Sequence, residues 1–130
     1  GLGSALGNMT DAHQLGWLDR DSLRSEMASA RAVLFPGRWQ EPFGIVGAEA
    51  LAMGTPVIAT PVGGMADWCG PGTIAVESQT EMAEAIRLLA NSPSHAASLG
   101  TQGRNRINAL CNPDRVHQKL TSVYTRLADQ

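Results

Sequence analysis

Two short runs of the chain, Ala32–Phe35 (AVLF) and Pro56–Ala59 (PVIA), are apolar without interruption. Runs of this length and kind are what a strand shows when both faces of its sheet are covered. Between them lies a stretch of small apolar residues from about Gly44 to Met53 that stops at Gly54, which predicts a short helix with a C-terminal glycine. Upstream, Leu23, Met27 and Ala30 follow helical spacing behind an Asp19–Ser22 capping region, and residues 13–18 (His13 to Leu18) are expected to form a short strand. The next strand covers Arg31–Phe35 and ends at Pro36. An irregular segment with Trp39 and Pro42 leads to the small-residue helix, followed by a strand over Pro56–Thr60 and the loop "PVGG". A turn of helix over Met65–Cys69 and a last strand over Thr73–Glu77 follow. Ser78 and Glu81 then form a capping box for a helix expected to carry Met82, Ile86 and Leu89 inward. The remainder is helical in pattern, and its last helix has Asn112 as cap, Pro113 in the first turn, and Val116, Leu120, Val123 and Leu127 on one stripe.

Strands alternating with helices imply a parallel sheet, because parallel neighbours need a crossover and helices supply it. The fold class is therefore α/β: a Rossmann-like parallel sheet with flanking helices and a helical C-terminus. Ligands of such sheets bind at the carboxyl ends of the strands. Both "PGRWQEPFG" (Pro36–Gly44) and "TPVGG" (Thr60–Gly64) fall at such ends.

Composition narrows the function classes. A chain of 130 residues with a formal net charge of -2 has room for one ordinary soluble domain, residues 1–130. Its ten Lys and Arg are balanced by twelve acids, so no basic face points to nucleic acid as a partner. Cys69 and Cys111 lie far apart with no C-x-x-C spacing, which predicts two free thiols and a reducing, cytoplasmic setting. Gly54, Thr55 and Pro56 break the longest apolar stretch before the roughly 18 to 20 residues that a membrane span needs. His13, His95 and His117 are dispersed without ligand spacing, so no metal is expected. "GLGSALG" (Gly1–Gly7) is a poor dinucleotide fingerprint with no preceding strand, and Ser4, Ser22 and Ser29 lack a nucleophile-elbow context.

One feature is harder to explain as scaffold. From Pro42 to Ala66 the only charged residue is Glu49, in the second turn of a helix rich in Ala and Gly. A helical Glu usually faces solvent, and a carboxylate buried without a partner costs several kcal/mol. Gly44 and Gly47, however, leave the backbone open to close approach, and a helix N-terminus presents unpaired N–H groups suited to phosphate. A ligand that joins phosphate to vicinal hydroxyls, as a nucleotide does, would use both the helix start and Glu49. Trp39 and Trp68 are open to two readings, as the lining of an acceptor cleft or as aromatic edges packed under loops.

At these residues the chain resembles a known family. "EPFGIVGAE" (Glu41–Glu49) resembles the Glu-x7-Glu signature of retaining glycosyltransferases of family four, which have the GT-B fold, and "EALAMGTPVIATPVGG" resembles its continuation. The resemblance runs from about Gly16 to the final helix. It implies the C-terminal, donor-binding half of a GT-B enzyme that transfers a sugar from a nucleotide-diphosphate donor with retention of configuration. By the same resemblance Glu41 is the catalytic residue, set against hydroxyls of the donor sugar, and Glu49 grips the ribose. Phe43, Gly44, Ile45 and Val46 meet the diphosphate and sugar, Leu18 lies near the base, and Gly63 and Gly64 line the donor site. No cofactor is implied beyond the nucleotide sugar itself.

The family pattern often has Glu after "GG-x-x", where this chain has Asp67 followed by Trp68. An amino-terminal domain and the first strand-helix unit of the carboxyl-terminal domain are expected to be absent, so the chain is expected to be N-terminally truncated and inactive alone. Gly1 to Gly3 would be the turn after the missing strand. The acceptor, a sugar or glycolipid, would belong to the absent domain, and the interdomain surface left exposed could pair in a dimer. The enzyme would be cytoplasmic or peripheral at the inner membrane. The competing readings are a GT-B phosphorylase or epimerase, and a stand-alone nucleotide-binding or assembly module.

Overall fold

A computed structural model describes residues 11–128. The expectations for Gly1–Gly7, including the glycine turn and Ser4, lie outside the described residues. The elements are α1 (Arg20–Ser29), β1 (Val33–Phe35), α2 (Ile45–Met53), β2 (Val57–Ala59), a 3-10 turn (Gly63–Asp67), β3 (Thr73–Ala75), α3 (Gln79–Asn91), α4 (Pro93–Leu110) and α5 (Pro113–Ala128). The three strands form one parallel sheet in the order β1-β2-β3, with Val33 opposite Val57 and Val57 opposite Thr73. The α/β class expected from the pattern is the one observed.

Residues 13–18 do not form the expected strand. This stretch is irregular, with a bend at Trp17, and His13, Gln14, Leu15 and Trp17 are exposed. A strand is defined by its neighbour's ladder of hydrogen bonds, which local alternation cannot supply. Leu18 is half-buried and immediately precedes the α1 cap, where Asp19 accepts hydrogen bonds from the N–H groups of Asp21 and Ser22 at 3.0 and 2.9 Å. The bonds from the Ser22 N–H and hydroxyl above all, with that from the Asp21 N–H, hold the Asp19 carboxyl below its usual range, because they favour the charged form.

The pleat of β2 divides the core in two. Val57 and Ala59 join Leu51, Met65, Trp68 and Ile107 on the α2 face, while Ile58 joins Val76, Ala85, Leu89 and Ala96 on the α3 face. All three β2 residues are fully buried, as its unbroken apolar run predicts. The same expectation fails for β1, the edge strand, whose Leu34 is 46% exposed. On α3 the inward row is Met82, Ala85 and Leu89, and Ile86, expected inside, is exposed. At roughly 100° per residue Ile86 sits about 60° around the helix from Leu89, at the margin of the apolar stripe.

The helix α4 lies close on α2 and the turn after it because two of its contact residues are glycines. A Cβ on Gly100 would fall 1.8 Å from the Gly54 carbonyl oxygen, and one on Gly103 would fall 2.6 Å from Leu51 Cδ2. Beside them the Arg104 guanidinium donates to the Met53 carbonyl at the C-terminal end of α2, where a cation complements the helix dipole. In α5 no residue is buried, and Val116, Leu120, Val123, Tyr124 and Leu127 present an exposed apolar stripe. Among the described residues no helix is long and apolar enough to cross a membrane.

One polar atom is out of place. The Thr73 hydroxyl on β3 is buried without a hydrogen-bond partner among the described residues. Removing an unsatisfied buried hydroxyl while keeping its shape relieves a desolvation cost. Thr73→Val is therefore expected to stabilise the domain by about 1 kcal/mol, read as a rise in the urea midpoint. A lowered midpoint would show that the hydroxyl is satisfied.

Candidate functional site

The carboxyl ends of β1 and β2 are joined by two interlocking loops. The segment from Pro36 to Gly44 leads from β1 into α2, and the segment from Thr60 to the 3-10 turn leads out of β2. The Thr60 N–H donates to the Phe35 carbonyl at 3.2 Å and the Gly64 N–H to the Glu41 carbonyl at 2.7 Å. Backbone lies directly on backbone here. A Cβ on Gly64 would stand 1.9 Å from the Pro42 carbonyl oxygen, and Gly63, at φ +59°, would bring its Cβ to 2.5 Å from the Glu41 oxygen. The two glycines of "PVGG" thus press on the peptide that carries Glu41, which is itself half-buried.

From Glu41 the chain turns through Phe43 into α2. Phe43 packs its ring against the core on the α2 face. Gly44 caps the helix in the left-handed region, at φ 76°, where its missing Cβ also avoids Met65 Cγ at 2.8 Å. The Gly47 and Ala48 N–H groups close the first turn on the Gly44 carbonyl at 3.1 and 3.3 Å. The earlier N–H groups have no partner in the helix, as at any helix start. Among the described residues no side chain caps them, and the first turn holds no acidic residue. Ile45 and Val46 there are 65% and 44% exposed, so this positive end of the helix dipole is open at the surface. Glu49, one turn further on, is half-buried between the buried Ala48 and Ala50.

Trp68 supports this corner from below. It is fully buried, and a Cβ on Gly47 would come within 2.4 Å of its ring. Its indole N–H donates to the Phe43 carbonyl. The Arg106 guanidinium of α4 in turn donates to the Trp68 and Asp67 carbonyls at 2.8 and 2.9 Å. Of the two readings of Trp68, packing beneath loops is the one observed, whereas Trp39 is 84% exposed. The contribution of Arg106 had no signal in the sequence, since its contacts are to backbone carbonyls 38 and 39 positions away. Both cysteines are free thiols, and partial burial pushes the Cys69 thiol up against the opposing pull of the nearby Arg106 charge.

Of the sequence-predicted residues, the structure brings Glu41, Phe43, Gly44, Ile45, Val46, Gly63 and Gly64 into one corner, with Glu49 on the helix that starts there. Leu18 belongs to the segment before α1 and ends no strand. A hollow of about 430 Å³ lies at the opposite, amino end of the sheet, lined by Arg31 and by small residues such as Ala28, Thr55 and Pro93. Among the described residues it offers no carboxylate for hydroxyl groups, although the start of α4 that borders it at Pro93 is, like that of α2, without a side-chain cap or an acidic residue in its first turn. A second hollow of about 310 Å³, lined by Pro36, Arg38, Thr60, Glu77 and Ser78, lies at the carboxyl ends of the strands beside the corner. Among the described residues no three His, Cys, Asp or Glu side chains converge as metal ligands would.

Comparison with known proteins decides the family. Residues 3–106 match the model of the family described as glycosyl transferases group 1. The chain belongs to that family. The sucrose-phosphate synthase of Thermosynechococcus elongatus superposes with a TM-score of 0.84 at 32% identity, over 97% of this chain and 33% of that one. The alpha-maltose-1-phosphate synthase of Mycolicibacterium smegmatis is 34% identical over 113 residues, 79% of this chain and 29% of that protein. Anabaena HepE, whose crystal structure holds UDP and glucose, shares the fold with a TM-score of 0.74 at 21% identity, over 92% of this chain and 34% of its own. The chain spans only 13 to 31% of the length of the curated relatives it matches. For this group 1 glycosyltransferase chain the expected GT-B class of parallel sheet and flanking helices is thus the one its structural neighbours share. The family match covers every predicted site residue and ends before α5.

Proposed function

We propose that this glycosyltransferase chain binds the donor, a nucleotide-diphosphate sugar, for transfer to an acceptor sugar or glycolipid with retention of configuration. The observation that carries the proposal is the open, uncapped start of α2, free of acidic residues in its first turn, with Glu41 before it and Glu49 within it. In this reading the diphosphate meets the free N–H groups around Gly44, Ile45 and Val46, and Glu49 accepts hydrogen bonds from the ribose hydroxyls. Glu41 holds the donor sugar, and Gly63 and Gly64 keep its peptide in place. As the sugar–phosphate bond breaks, negative charge grows on the departing diphosphate, where helix N–H groups stabilise it best. Retention follows when the acceptor hydroxyl attacks from the face that the phosphate leaves. The fold shared with a protein holding UDP and glucose supports the donor class. The exposed stripe of α5 would serve contact with a further domain or a second copy.

Titration of the chain with UDP, GDP and ADP, followed by chemical-shift changes, tests this reading. One of the three is expected to bind in the millimolar range, about 4 kcal/mol, as suits a site holding a fraction of the donor's contacts. Glu49→Gln should weaken that binding by roughly 1 to 2 kcal/mol, because an amide accepts ribose hydroxyls less strongly than a carboxylate. Equal indifference to all three nucleotides would favour an assembly module instead.

A further inference from the structure

The start of α2 stays open although nothing in its own sequence caps or charges it, so its geometry must be set from outside the helix. Two groups reach the segment that leads into it. The Gly64 N–H holds the Glu41 carbonyl, and the Trp68 indole N–H holds the Phe43 carbonyl, one residue before the Gly44 cap. We propose that Trp68 is a positioning residue for the donor site. Its indole N–H fixes the Phe43–Gly44 peptide so that the unpaired N–H groups of the first α2 turn are set for a diphosphate before it arrives. This rests on the donor reading given above.

Three observations support it. The Trp68 ring is fully buried and lies against both Gly44 and Gly47, where added Cβ atoms would stand 3.3 and 2.4 Å from it, so ring and helix start have no room to move independently. The ring's own backbone is anchored by Arg106, which donates to its carbonyl at 2.8 Å and to that of Asp67 at 2.9 Å. The buried indole has one polar atom, and it is spent on a carbonyl of the loop rather than on core structure. A phenylalanine would fill much of the same space without holding that carbonyl. Binding groups held in place before the ligand arrives lose less freedom on binding, so affinity depends on what holds them.

The test compares the chain with two variants, Trp68→Phe and a replacement of Trp68 by 3-benzothienylalanine, which keeps the ring size and lacks the N–H. Each is titrated with the best-bound of UDP, GDP and ADP and with the matching nucleoside, and its melting temperature is recorded. The isostere is expected to bind the diphosphate about 5-fold more weakly, on the scale of one hydrogen bond. It should bind the nucleoside as the unaltered chain does, with little change in melting temperature. Trp68→Phe should show the same split even where it also melts earlier. In the unaltered chain the Trp68 indole proton should exchange with water at least tenfold more slowly than those of the exposed Trp17 and Trp39. Unchanged diphosphate affinity in the isostere, or equal loss of diphosphate and nucleoside, would overturn the proposal. Fast exchange of the Trp68 proton would do the same. If the unaltered chain binds no nucleotide, the donor reading itself fails and takes this inference with it.

Discussion

Gly100→Val is expected to destabilise the domain by about 3 kcal/mol or more, lowering its melting temperature by about 10 °C. The Cβ would lie 1.8 Å from the Gly54 carbonyl oxygen, well inside van der Waals contact, and the obstructing atom is backbone that cannot rotate away. The helix α4 would have to lift from α2, opening the face where Leu51, Trp68 and Ile107 pack together. Glycine in mid-helix ordinarily costs roughly 1 kcal/mol relative to alanine, so in a free helix a Cβ here would help. The contact reverses that sign. Asn105→Ala, an exposed change on the same helix, should stay within about 0.5 kcal/mol. Thermal melts of the two variants decide the matter, and a Gly100→Val protein as stable as the original would refute the close approach of α4 and the α2–β2 turn.

If Glu41 holds the donor sugar as proposed, Glu41→Gln is expected to lower the rate of sugar transfer by roughly 100-fold or more, the usual cost of losing one group aimed at the reacting centre. Affinity for the free nucleotide should change by less than about twofold, because the proposed contact is to the sugar alone and is strongest while charge develops. Glu49→Gln should show the opposite division, with the larger loss in nucleotide binding. Calorimetry on the free nucleotide, paired with turnover measurements on the same variants, separates the two. A Glu41→Gln enzyme that turns over normally but binds nucleotide poorly would exchange the roles proposed for the two acids.

Much of this was legible because the signals are local. The Ser78–Glu81 pairing is present, with the Glu81 N–H donating to the Ser78 hydroxyl at 3.2 Å and the Glu81 carboxylate accepting from the Glu77 N–H at 2.8 Å. Asn112 caps α5 by accepting from the Arg115 N–H at 3.0 Å. Gly54 ends α2 at φ 83°, a conformation few other residues adopt cheaply. The unbroken apolar runs marked β1 and β2 as strands, but only β2, covered on both faces, buries every side chain, while Leu34 of the edge strand β1 is exposed. Glu49 stood out because a charge isolated in an apolar, glycine-bearing stretch needs a reason to be there, whereas Glu41 was marked by the resemblance to the Glu-x7-Glu signature.

The sequence by itself therefore determined the order of elements from α1 onward, the caps of α1, α3 and α5, the glycine stop of α2, the parallel sheet and the isolated carboxylate Glu49, all of which depend on residues within a few positions of one another. Tertiary structure alone decided the rest. Among the described residues it left 13–18 without a partner strand, set Ala85 rather than Ile86 inward, and left the stripe of α5 uncovered. It also joined Gly64 to Glu41, Trp68 to Phe43 and Arg106 to Trp68. Those joins are hydrogen bonds to backbone carbonyls and contacts at missing Cβ atoms. A carbonyl is the same at every residue and a glycine records only that space is short, so the chain carries no mark of which distant group will fill it.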